Sequence, residues 1–215
     1  MSETEISEAS PLGLFLPATL IPDVPLSDDA LELASMAVLD MERIRCERNE
    51  QGKLRLYTPT AEVIWLMIQM LHRELREWMR RSKRAYGDVF VRRRFFLDKQ
   101  IVMCPDIGYI APAERRKPPI IPLAGASLNC CPNFVAEFCA HPKELRMLKE
   151  KMLRWMANGT ELGWLIVLHE QSVYVYAPGC EPSIMDGDAL GQGPLGEFEL
   201  DLSHLWSIDE FRRSY

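Results

Sequence analysis

Two acids in this sequence stand where acids are costly. Glu137 is set in Asn-Phe-Val-Ala-Glu-Phe-Cys-Ala, residues 133–140, where everything after the asparagine is otherwise apolar. Asp106 follows Pro105 in Met-Cys-Pro-Asp-Ile-Gly-Tyr-Ile, residues 103–110. Such runs read as buried strands, and a buried carboxylate needs a metal ion, a cation or a second acid sharing its proton. Two acids on neighbouring strands can converge on one point, where a divalent cation relieves their repulsion. Hard oxygen donors suit Mg²⁺ or Mn²⁺, and such an ion polarises a phosphodiester and lowers the pKa of a bound water. The plainer alternative has Asp106 capping a turn after Pro105 and Glu137 paired with a cation such as Lys151.

The elements that must position these acids can be read from periodicity. Val63, Ile64, Met67, Ile68, Leu71, Leu75 and Trp78 recur at three and four, which predicts a long amphipathic helix from about Thr60 to Arg84. "RIRCERNEQGKLRLYTP" reads as two strands around a turn, and "DVFVRRRFFL", "QIVMC" and "DIGYIAP" as successive strands. "ERRKPPIIPLAGAS" is too rich in proline for anything but a loop. After the Glu137 strand, Leu145, Leu148, Met152 and Trp155 share one face of a helix that Gly159 should stop. "GWLIVLHEQSVYVYAPG" predicts a strand pair, and a last turn falls near "LSHLW". A further helix is expected to start at Ser27, and residues 1–26, rich in Pro, Ser and Glu, read as a flexible acidic leader to a domain over 27–215. The order predicts a mixed α/β (α+β) domain on one central mixed sheet flanked by helices.

At 215 residues the chain can bury roughly 70% of its unfolded surface, enough for a full core. The net charge of −6 is unevenly spread: residues 1–35 hold seven acids and no Lys or Arg, whereas Arg73 to Arg94 hold nine basic residues against Glu74, Glu77 and Asp88. Distribution matters more than the sum for a polyanionic partner, and Arg92, Arg93 and Arg94 are candidate phosphate contacts. A solvated strand end is the equal alternative for that run. The six cysteines form no Cys-x-x-Cys pair and lie mostly in apolar sequence, which suits reduced thiols better than a disulfide framework or a zinc site. There is no run of about 18 apolar residues and no secretion-type start, so a cytoplasmic location and no membrane partner are expected.

"RIRCERNEQGKLRLYTPTAE", "CPDIGYI", "CPNFVAEFCAHPKELRMLKEKMLRWMANGTELGWLIV" and "VYVYAPG", in this order and spacing, resemble the Uma-type restriction endonuclease family, within the superfamily of metal-dependent PD-(D/E)xK nucleases. The likeness covers roughly residues 27–206. It implies a restriction-endonuclease-like core and cleavage of phosphodiester bonds in nucleic acid, DNA foremost, by a Mg²⁺- or Mn²⁺-dependent endodeoxyribonuclease. Asp106 would be the acid of the Pro-Asp motif and Glu137 that of Glu-x-Lys, both as metal ligands. The Lys of that motif should stand at residue 139, which here is Cys139, and Lys151 one helix later is the natural substitute. An assisting acid on the long helix has Glu62 as its nearest match, although a gapless reading puts the position at Val63. Lys143 and Val167 replace acids usual in relatives. These losses frame the alternative, a nuclease-fold protein of weakened or no activity that binds nucleic acid or a protein. A homodimer is a further candidate assembly.

Overall fold

The spacing of apolar residues at three and four folds as α1 (Glu62–Arg81), whose Val63, Ile64, Met67, Ile68, Leu71 and Leu75 are buried. Burying each of these side chains contributes about 1.5–3 kcal/mol. Glu62 in its first turn and Arg80 and Arg81 in its last complement the helix dipole. The computed structural model describes residues 19–20, 45–50, 54–57, 62–82, 87–97, 101–112, 127–185, 189–190 and 193–213. The helix expected from Ser27, the proline-rich loop and most of the leader lie outside the described residues. Among the described residues no helix is long and apolar enough to cross a membrane.

One six-stranded sheet carries Glu137, and Asp106 lies immediately before one of its strands. Its order is β12 (Ser183–Met185), β11 (Ser172–Tyr176), β10 (Leu162–Val167), β9 (Phe134–Cys139), β7 (Ile107–Ile110) and β4 (Asp88–Val91). Among the described strands of this sheet only β9 and β10 pair parallel, and α2 (Pro142–Ala157) makes the crossover that a parallel pair requires. α2 stops where Gly159 takes a positive φ of 104°, a conformation glycine adopts without steric cost. On the face of β9 that carries Ala136 and Phe138, the sheet packs against α1 and, through Leu202 and Leu205, α3 (Leu202–Arg213).

A second six-stranded sheet departs from the expected single sheet. It orders β1 (Thr19–Leu20), β3 (Leu54–Tyr57), β2 (Arg45–Arg48), β6 (Val102–Met103), β5 (Arg94–Phe96) and β8 (Ser127–Leu128). A small β13 (Ala189–Leu190) and β14 (Glu199–Leu200) hairpin completes the strands. Thr19–Leu20, within the segment read as a leader, pairs with β3. The reason for two sheets is local: "DVFVRRRFFL", expected as one strand, breaks at Arg92, whose φ is +49°. β4 therefore joins the first sheet and β5 the second. Phe95 and Met103 of the second sheet meet Val135, Cys139 and Leu165 of the first, together with Leu148, Met152 and Trp155 of α2. Gly108 makes this approach possible, because a Cβ there would stand 3.0 Å from the Phe95 ring.

Candidate active site

Alternation along β9 decides where Glu137 goes. Ala136 and Phe138 face the α1 side, whereas Val135 and Cys139 face α2 and the second sheet, so Glu137 faces the second group. β7 pairs antiparallel with β9 at Ile107 opposite Ala136, and continuing that register by one residue sets Asp106 opposite Glu137. Directly opposed residues on adjacent strands share a face, with Cβ atoms about 4.5–5.5 Å apart. Both acids are fully buried, at 0% exposure.

α2 delivers the cation. Leu148, Lys151, Met152 and Trp155 are its buried residues and fall on one helical face, so a lysine is carried into the core with three hydrophobes. Lys151 Nζ lies 2.7 Å from Glu137 Oε1 and 2.7 Å from Glu47 Oε1, and donates to the Cys104 carbonyl at 2.8 Å. An ammonium has three donors, and these three acceptors meet them. Trp155 Nε1 donates to the same Glu137 oxygen at 3.2 Å. Glu47 Oε1 also accepts the Cys104 N–H at 2.9 Å, so Glu47 and Lys151 together fix the backbone two residues before Asp106.

Asp106 has its own partners. Its Oδ2 accepts the Phe138 N–H at 3.0 Å, which ties it to β9 beside Glu137. Its Oδ1 lies 3.4 Å from Arg92 Nε, and the Arg92 N–H donates to the Asp106 carbonyl at 3.1 Å. The guanidinium of Arg92 sits 5.3 Å from the ring centre of Trp65.

The structure thus brings together Asp106, Glu137 and Lys151 among the residues named from sequence, and adds Glu47 and Trp155. Glu62 stands exposed in the first turn of α1 and makes no hydrogen bond or ion pair with the cluster. The arginine run is not an exposed strand end: Arg94 is buried, and the Arg92 side chain is only 9% exposed against Asp106. Cys139 is buried, and burial together with the nearby Glu144 carboxylate pushes its thiol up to about 12. It supplies no charge at neutral pH. Burial likewise pushes the Cys131 thiol up to about 11. Lys143 is exposed near the start of α2, and Val167 is fully buried in β10. Glu47 escaped the sequence reading because Arg-Cys-Glu-Arg-Asn-Glu has the look of a solvated strand, with nothing to single out one acid.

The profile of the Uma2 family, described as "Putative restriction endonuclease", matches residues 29–203. The chain belongs to the Uma2 family. A solved structure similar to it is that of a putative nuclease belonging to DUF820 from Anabaena variabilis ATCC 29413, with a TM-score of 0.62 and 22% identity over 76% of this chain and 90% of that one. At that identity the likeness carries the fold alone. No curated protein matches the sequence. Membership of Uma2 makes the buried acid cluster the natural place to look for phosphodiester chemistry.

Proposed function

We propose that this Uma2 chain is an endonuclease that hydrolyses phosphodiester bonds of nucleic acid, DNA foremost, with Mg²⁺ or Mn²⁺ as cofactor. The observation that supports this reading is the place of Asp106 opposite Glu137, one residue beyond the paired register of β7 and β9, with Lys151 Nζ 2.7 Å from Glu137. Two carboxylates suit such an ion, because Mg²⁺ keeps several waters and takes only one or two protein carboxylates along with substrate phosphate. Among the described residues no group of three or more His, Cys, Asp or Glu is placed to hold a metal, and the described ligands of the proposed ion are Asp106 and Glu137. When bound, the ion would supply Lewis acidity at the phosphate and lower the pKa of an attacking water.

The chain's own residues do the positioning. The Phe138 N–H fixes Asp106 Oδ2, and Trp155 Nε1 fixes Glu137 Oε1. Lys151, held by Glu47 and the Cys104 carbonyl, would turn the donor that now meets Glu137 to charge building on the phosphate. It reaches Glu137 from the neighbouring helix and so replaces the lysine that Cys139 displaces from the strand. In this reading the enzyme works in the cytoplasm, and a homodimer would present two sites to the two strands of duplex DNA.

One observation favours a second reading, a non-catalytic nuclease-fold module that binds nucleic acid or protein. Both acids are fully buried and already hold cations, Asp106 with Arg92 and Glu137 with Lys151. The test is nicking of supercoiled DNA, and cutting of linear DNA and of RNA, in Mg²⁺ or Mn²⁺ with an Asp106→Asn control. The endonuclease reading expects cleavage by the wild type and none by the variant. Equal behaviour of the two on all substrates, with binding retained, would transfer the assignment to the second reading.

A further inference from the structure

Arg92 combines features that an ordinary surface arginine lacks. Its backbone is left-handed at φ +49°, a conformation that costs an L-residue about 1–2 kcal/mol and persists only where surrounding contacts hold it. Those contacts converge on one residue: the Arg92 N–H is bonded to the Asp106 carbonyl and Nε lies by the Asp106 carboxylate. A further contact is with Trp65, which is 37% exposed, so on this side the guanidinium faces the protein surface. Arg92 also sits at the crossing between the two sheets, where β4 ends and β5 begins.

The geometry points to Arg92 as a resident counter-ion of Asp106, a positioning residue that competes with a divalent cation for that carboxylate and must withdraw toward the surface for the cation to bind. This rests on the metal-dependent reading above and adds its regulation. A guanidinium and a metal ion drawn to the same carboxylate oxygen repel each other, and Arg92 faces Oδ1 of Asp106 while Oδ2 already accepts the Phe138 N–H. The Arg92 Nε–Asp106 Oδ1 distance of 3.4 Å is also longer than the roughly 2.7–2.9 Å of a tight charge-assisted bond. The freed guanidinium, planar and always charged, would then be available to a phosphate at the mouth of the site.

The test measures Mn²⁺ affinity of the full chain by electron paramagnetic resonance and calorimetry. Arg92→Asn removes the competing charge and suits the left-handed backbone, and it should bind Mn²⁺ at least about tenfold more tightly than the wild type, one charge contact of about 1.4 kcal/mol. Arg92→Lys keeps a competing cation and should stay within about threefold of the wild type. Asp106→Asn should abolish binding in either background. Wild-type binding that Asp106→Asn removes, with Arg92→Asn no tighter, overturns the counter-ion role while sparing the metal site. Absence of Mn²⁺ binding in every variant, folded by circular dichroism, overturns the metal reading and this inference together. A second readout needs no Arg92 variant: Mg²⁺ should shift the emission of Trp65 in the wild type as Arg92 leaves, and Trp65→Phe should remove that shift. A Mg²⁺-binding wild type whose Trp65 emission does not move would contradict the inference.

Discussion

Lys151 Nζ stands 2.7 Å from Glu137 Oε1, with the lysine side chain 4% exposed and the glutamate side chain 0%. Glu47 holds the same ammonium at 2.7 Å. A buried pair of this kind contributes modest net stability as a unit, but removing one partner strands the other. Lys151→Met should therefore destabilise the protein by about 3–5 kcal/mol in urea unfolding, because two buried carboxylates lose their shared cation. A cost below about 1 kcal/mol would mean that the acids are neutralised by other groups.

Trp155 supplies the other donor to Glu137, through Nε1 at 3.2 Å, and packs its ring edge-on to Phe95 at 6.1 Å. Trp155→Phe keeps most of the packing and removes the donor. It should cost about 1–3 kcal/mol, the range for leaving a buried acceptor short of a partner. An unchanged urea midpoint would show that the indole N–H does not support the carboxylate.

The thiols offer a prediction with a defined sign. A raised thiol pKa keeps the group neutral until the pH approaches that value, and only the thiolate attacks disulfide reagents. With Cys139 pushed up to about 12 and Cys131 to about 11, both should resist dithionitrobenzoate at pH 8 in the native protein and react on unfolding. Exposed Cys180 should react at once. Rapid native labelling of Cys139, identified by peptide mapping, would refute its burial beneath the α2 face.

Lys143 tests how the start of α2 is tuned. A cation in the first turn opposes the helix dipole, and Lys143 follows Pro142 directly. Lys143→Asp should raise stability by about 0.3–1 kcal/mol, readable as a higher thermal midpoint. It should also raise cleavage if loss of an acid there weakened the site. A lower midpoint would contradict the dipole argument.

Much of the fold could be read from the sequence because periodicity reports burial directly. α1 and α2 carry apolar residues at three and four, and Glu137 and Asp106 betray themselves as acids in apolar runs. Lys151 is legible as a cation that could pair with Glu137, and the family pattern adds its role, but a lysine amid "KEKM" has no local mark of burial. The second sheet was not legible. It depends on a single backbone reversal at Arg92, and arginine carries no propensity for positive φ. Glu47 and the Arg92–Asp106 contact were hidden for a related reason: each joins residues far apart in sequence, and charged residues in a charged stretch look solvated.

The account stands most directly on whether Asp106 and Glu137 share an ion. Crystals soaked in Mn²⁺, with diffraction recorded at the manganese absorption edge, answer this without any assay of activity. The account predicts one anomalous peak within about 2.4 Å of a carboxylate oxygen of each residue, with the Arg92 guanidinium turned away from Asp106. The contradicting result is no peak at this position while Arg92 remains on Asp106 and Lys151 on Glu137.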